Sequence, residues 1–310
     1  MKNKQFCFSY TGRVGRPLSC VLVSMMMLSM ASCEEMNADD LSEAGDKETP
    51  NVVVRVASFE QVPFPARTRA AVGDVSTRLN VAVYDETGLR IKQVNQKAGD
   101  AGFGQVGFLL PAGHYYLVAL AHNSSKNPTM TNAQKIRFSN QSEGIGYSDT
   151  FLYGGSLVVG DEPVERVLSL RRIVAKVRFE LDDAPPSSVN RIRFAYEGGS
   201  GTVDATTGWG VVKSKQKEFC DVVSDVRQYE IYTIPREDSR YLTVTVEGYQ
   251  QTDSCLAVLT ERQIDSIPIT RNRITVCRGN LFSREASATR SSSFSFTVEN
   301  EWEEGQTIFF

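Results

Sequence analysis

The chain has 310 residues, 41% hydrophobic and 23% charged, with 34 Lys and Arg against 37 Asp and Glu and a net charge of −3. A mildly acidic chain with mixed charge lacks the clustered Lys and Arg that a nucleic-acid surface needs, so nucleic acid is excluded as a partner. The first element is a leader. Lys2, Lys4, Arg13 and Arg16 are its only charges, residues 18–30 are apolar or small, and Met30-Ala31-Ser32 precede Cys33. A basic start, a short apolar run and small residues at the cut mark a secretory signal peptide over 1–32. A run of about a dozen residues falls short of the roughly 20 a transmembrane helix needs.

Cys33 directly after Ser32 resembles the lipobox of bacterial lipoproteins. That resemblance implies cleavage between Ser32 and Cys33 and acylation of the Cys33 sulfur. Cleavage there would leave 278 residues and remove four basic side chains, taking the net charge from −3 to −7. Each buried CH2 of an acyl chain contributes about 0.8 kcal/mol, and two or more chains anchor stably. The expected location is therefore the cell outer membrane, by lipid and surface-exposed. Glu34, Glu35, Asp39, Asp40, Glu43, Asp46 and Glu48 follow. They predict a disordered, solvated tether over 33–50, and they resemble the surface-export signal of Bacteroides-type lipoproteins.

Beyond Pro50 the ordered segments read with period two. Val52-Val54-Val56 opens the series, and Leu79-Val81-Val83 ends at the turn Asp85-Glu86-Thr87-Gly88. Val106-Phe108-Leu110 runs into Pro111-Ala112-Gly113, residues 115–121 are nearly all apolar, and Phe151-Leu152-Tyr153 and Leu157-Val158-Val159 flank Gly154-Gly155. Residues 129–147 read as a long polar loop. A second series begins near Arg171: Ala175, Val177, Phe179 and Leu181 face one way, and Lys176, Arg178 and Glu180 the other. Ile192-Phe194-Tyr196, Leu242-Val244-Val246, residues 255–259 and residues 267–277 complete it. Short strands with turns about every ten residues predict an all-β chain of two sandwiches, 51–170 and 171–282, each with enough apolar side chains to fold without a metal or disulfide.

No chemistry is marked out. His114 and His122 lie beside a predicted strand, and no GxSxG, HExxH, P-loop or GxGxxG is present, so neither catalysis nor a cofactor is expected. After the leader and Cys33, the cysteines are Cys220, Cys255 and Cys277, without a CxxC. They allow one bridge in three pairings, or free buried thiols. A surface glycan-binding lipoprotein is the alternative function. It would need an aromatic platform, and Trp209 and Trp302 are the two tryptophans.

Arg171-Arg172-Ile173-Val174-Ala175-Lys176-Val177, the stretch from Ile267 to Val276 and its close in Arg278-Gly279-Asn280-Leu281-Phe282 resemble, with the lipobox, the fimbrillin-type anchor subunits of type V pili in Bacteroides-type bacteria. The resemblance implies two tandem transthyretin-like Greek-key β-sandwiches and no catalysis. It implies a lipid-anchored subunit at the pilus base, joined to fimbrial shaft or minor subunits by β-strand exchange.

The tail suits that role. A polar linker begins at Ser283, then Phe294, Phe296 and Val298 alternate with Ser295, Thr297 and Glu299. Trp302 and the apolar end Ile308-Phe309-Phe310 follow. Region 283–310 is either a linker with a donor strand for a neighbour or carries the last strand of the second sandwich. Shaft subunits of the family are cut after an arginine in the loop following the first strand, and Arg67 and Arg69 occupy such a loop here. An anchor must keep its lipidated end, so these arginines are expected to stay uncut.

Overall fold

The computed structural model describes residues 49–59, 72–139, 147–223, 225–252 and 256–283 and, as backbone, 5–6 and 294–299. In chain order the first half holds β1 (Gln5–Phe6), β2 (Val52–Phe59), α1 (Val72–Val75), β3 (Arg78–Tyr84), β4 (Arg90–Lys97), β5 (Gln105–Phe108), β6 (Gly113–His122), β7 (Ile136–Arg137), β8 (Thr150–Val159) and β9 (Val164–Arg172). The second half holds β10 (Ala175–Leu181), β11 (Arg191–Glu197), β12 (Thr202–Asp204), β13 (Trp209–Gly210), β14 (Lys215–Asp221), β15 (Gln228–Thr233), β16 (Tyr241–Gln251), β17 (Leu256–Pro268), β18 (Ile274–Gly279) and β19 (Phe294–Glu299). The four-residue α1 is the one helix among the described residues.

Seven strands of the first half run in the order β4-β3-β6-β8-β9-β2-β5. Their sheet folds over at β8 and β9, which pair only through Phe151↔Arg172 and Leu152↔Arg171 and diverge from there. The result is two layers, β4-β3-β6-β8 facing β9-β2-β5. Val52, Val54 and Val56 of β2, and Leu79, Val81 and Val83 of β3, alternate into the core between them. This is the period-two pattern expected of strands buried on one face. β2 and β9 pair in parallel, the first strand of the half with its last.

The second half repeats the plan. One layer runs β14-β11-β16-β17, with β1 on the β17 edge, and the other runs β15-β10-β18-β19. Its first strand, β10, again pairs in parallel with its seventh main strand, β18. Phe179 stacks on Phe194 across the layers, with ring centroids 4.8 Å apart. The difference between the halves is β19, an eighth strand antiparallel to β18.

The β3-β6 layer is buried on both faces. Ala82, Tyr84, Val118 and Leu120 point away from the first core and pack with Ile173, Val203, Ile234 and Ile274 in a cluster that spans both halves. The segment read as a loop over 129–147 supplies part of this joint. Its β7 pairs with β12 of the second half through Thr202↔Arg137 and Val203↔Ile136. Gly154-Gly155 lies inside β8, not between two strands. A Cβ on Gly154 would meet the Ala205 carbonyl oxygen at 2.3 Å, so close approach of the second half demands a glycine there.

Candidate functional site

Of the tail residues singled out in the sequence, Phe294, Phe296 and Val298 lie in β19. Their backbones face Gly279, Cys277 and Thr275 of β18. The tail strand therefore closes the second sandwich as its edge. Ser32, Cys33, Arg67, Arg69, Trp302, Ile308 and Phe310 lie outside the described residues.

His114 and His122 lie near the two ends of β6. His122 is buried, and its Nε2 lies 2.8 Å from Asn80 Oδ1, while the Ser124 N–H donates to Nδ1. Nδ1 therefore accepts and Nε2–H donates, which is the neutral imidazole. Burial, helped by the nearby Arg78 cation, pushes its pKa down to about 4. Asn80 passes the chain on to Asn95, with Nδ2 donating to Oδ1 over 2.7 Å. This polar thread inside a sheet is structural. His114, on β6, pairs with Val158.

Cys220 and Cys277 are free thiols, and Cys255 lies outside the described residues. Burial pushes the Cys220 thiol up to about 11, with Glu218 and Asp221 adding to the rise, and burial alone raises Cys277 further. Neither is a reactive thiolate at neutral pH. Among the described residues no group of His, Cys, Asp and Glu could hold a metal ion, and no helix is long and apolar enough to cross a membrane. Trp209 is not a bare platform, because the Arg271 guanidinium sits 3.9 Å from its ring centroid.

Two polar features are invisible to periodicity. Arg172, at the end of β9, is buried and donates to both Asp149 oxygens at 2.7 and 2.8 Å and to Asn272 Oδ1 at 2.8 Å. Its guanidinium lies 4.7 Å from the Phe151 ring centroid. It joins the start of β8 to the turn before β18, across the two halves. On β14, Glu218 is buried and accepts from Tyr196 Oη at 2.8 Å, and burial pushes its pKa up to about 7. The adjacent arginines in Arg171-Arg172 are the only sequence signal for the first. Nothing in the sequence signals the second.

What the fold offers outward is strand edges. β4 carries Arg90, Lys92 and Lys97, and β14 carries Lys215 and Lys217, the charged guards usual on edges that must not pair. Among the described residues, β9 is paired along one side by β2, and along the other only at Arg171 and Arg172.

The family model for fimbrillin-A associated anchor proteins Mfa1 and Mfa2 matches residues 48–304. Among solved structures, the chain is similar to the fimbrial anchor protein Mfa2 from Porphyromonas gingivalis at 12% identity and a TM-score of 0.48, over 83% of this chain and 98% of that one. It is also similar to a fimbrial assembly protein from Parabacteroides distasonis at 13% identity and a TM-score of 0.39, over 83% and 97%. A third is the tip fimbrial protein Mfa3 from Porphyromonas gingivalis, truncated at its C-terminus, at 11% identity and a TM-score of 0.36, over 80% and 98%. No curated protein matches.

Proposed function

The chain belongs to the family of fimbrillin-A associated anchor proteins, and from that membership we propose that it is the lipid-anchored base subunit of a fimbria, joined to its neighbour by exchange of a β-strand. The family is one of structural fimbrial proteins rather than enzymes, and membership in it supports a pilus location at the cell envelope with other fimbrial subunits as partners.

In this reading the signal peptide is 1–32, Cys33 carries the lipid, and 33–50 is a tether. Two transthyretin-like sandwiches follow, 51–170 and 171–282. The repeated strand plan, with its parallel first-to-last pairing in each half, supports that architecture. The donor is the tail, 283–310. The observation that carries this is the position of β19. It is an added eighth strand at the rim of its sheet, hydrogen-bonded along one side, and separated from β18 by the stretch that follows Gly279. Such a strand can leave its own sheet and pair elsewhere without taking a central strand with it. Arg67 and Arg69 stay uncut, because cleavage there would free the body from Cys33.

Two experiments test the reading. Cys33→Ala should move the protein from the membrane fraction to the soluble fraction of fractionated cells, and membrane retention would defeat the lipid assignment. Deleting residues 294–310 should leave both sandwiches folded by circular dichroism and stop cross-linked co-purification with the next fimbrial subunit. A truncation that yields no soluble protein makes the tail an ordinary core strand.

A further inference from the structure

The chain leaves β18 at a point held by one carboxylate. Asp183 lies in the turn after β10, two residues before Pro185-Pro186, which fix their own φ and stiffen that turn. Its Oδ1 accepts from the Leu281 N–H at 2.9 Å, and its Oδ2 accepts from the Phe282 and Ser283 N–H groups at 2.6 and 2.5 Å. Three consecutive N–H groups thus converge on one anion, the arrangement of a nest. Burial opposes the charge, but the three bonds outweigh it and hold the Asp183 carboxyl below its ordinary range. Bonds to an ionised acceptor are roughly twice as strong as neutral ones.

The same segment is held from its other side. Thr260 Oγ1 donates to the Leu281 carbonyl at 3.1 Å, and Arg262 Nη2 donates to the Ser283 carbonyl at 3.0 Å. Leu281 is buried in the core of the second half, and Phe282 packs against that core. A Cβ on Gly248 would meet the Phe282 ring at 3.0 Å, so a glycine on β16 leaves the ring its seat. These fixed residues lie between β18, which ends at Gly279, and β19, which pairs back on it from Phe294. In the order β15-β10-β18-β19, departure of β19 leaves β18 with β10 as its one partner. The Gly279 end of β18 would then be the first to peel under a pull.

We propose that Asp183 roots the donor tail: it pins residues 281–283 to the body while the chain beyond Ser283 pairs with a neighbouring subunit, so that a pull on the tail stops at this carboxylate and does not peel β18 from β10. Three bonds to one side chain must break together, whereas the rungs of a strand pulled from its end break one at a time. This inference rests on the reading that the tail is a donor, and it names what holds the donor to its own subunit.

The test combines amide exchange with single-molecule stretching of the full chain. The amides of residues 281–283 should be protected in the parent and stay protected when residues 294–310 are deleted. Asp183→Ala should speed their exchange about tenfold or more. Asp183→Asn, which keeps one acceptor oxygen, should speed it less, and it carries the comparison if the alanine variant does not fold. Pulled by its C-terminus, the parent should release about 9 nm before its main unfolding event, the contour of residues 284–310. Asp183→Ala should release about 3 nm more, because residues 274–283 follow the tail. Equal exchange at 281–283 in the parent and both variants, or equal release in the parent and the folded variant, overturns the proposal. Joining of subunits that survives deletion of 294–310 overturns the donor reading and this proposal with it. Joining lost on that deletion, with release unchanged in the Asp183 variants, overturns this proposal alone.

Discussion

His122 and Glu218 bury titratable groups whose folded-state preferences run in opposite directions. Burial holds His122 neutral, with its pKa down to about 4 from 6.5, so the folded chain binds fewer protons there than the unfolded chain between those values. Stability from this group is present above pH 6.5 and is lost as pH falls through 4, by about 3 kcal/mol in all. Glu218 is pushed up to about 7 from 4.5, so the folded chain binds more protons. Its contribution is full below pH 4.5 and is lost as pH rises through 7, again by about 3 kcal/mol. Between pH 4.5 and 6.5 the two slopes offset each other. Replacing one should expose the other. Urea unfolding of Glu218→Gln, which keeps an acceptor for Tyr196, should show a variant more stable than the parent above pH 7 and no more stable below 4.5. His122→Gln should lose stability overall and lose the acid slope. A Glu218→Gln curve parallel to the parent at every pH would contradict the assignment.

At the scale of elements, glycine placement separates two neighbours that look alike in sequence. A Cβ at Gly154 meets the Ala205 backbone oxygen at 2.3 Å, whereas at Gly155 the nearest atom is the Tyr153 hydroxyl at 2.6 Å. Backbone of the opposite half cannot move aside, but the end of a half-exposed tyrosine can. Gly154→Ala should therefore cost about 1–3 kcal/mol, the range for overpacking a close contact, and Gly155→Ala clearly less. Thermal unfolding of the two variants decides it, and equal losses would refute the argument. The same contact explains why a glycine pair that reads as punctuation lies within one strand. Strands with an alternating apolar set were legible: β2, β3, β10, β11 and β16 all carry the alternation of valines, leucines and aromatics that a core face requires, and in β3 the residues between are buried as well. β4 was not, because as an exposed edge it keeps only Ile91 and Val94 among polar residues. β14 was not, because two of its inward positions hold Gln216 and Glu218. β7 pairs with a strand more than sixty residues away, and no local pattern encodes that.

The whole molecule behaves as more than two sandwiches on a string. The expected boundary between 170 and 171 falls inside β9, which ends at Arg172, and the two halves share a core. Tyr84, Val118, Leu120, Met130 and Ile136 from the first half bury against Ile173, Val203, Ile234 and Ile274 from beyond the boundary. The buried Arg172 fastens the same joint through Asp149 and Asn272. A boundary read from periodicity cannot reveal this, because the outward face of β3 and β6 has the composition of a core face whichever neighbour covers it. Each large apolar side chain uncovered by separation would forfeit about 1.5–3 kcal/mol, a sum that rivals the 5–15 kcal/mol holding a typical domain. The chain should consequently unfold in one transition, with fluorescence and circular dichroism midpoints that coincide. Arg172→Ala strands a carboxylate and a buried amide, and should lower the stability of that single transition by about 3 kcal/mol without splitting it. The separated piece 49–174 should expose an apolar face, bind a hydrophobic dye and melt without cooperativity. Two resolved transitions in the whole chain, or a piece 49–174 as stable as the whole, would mean that the joint is only a contact between independent domains. A fimbrial subunit has reason to unfold as one body, because a joint that opens before the sandwiches do would be its weakest point.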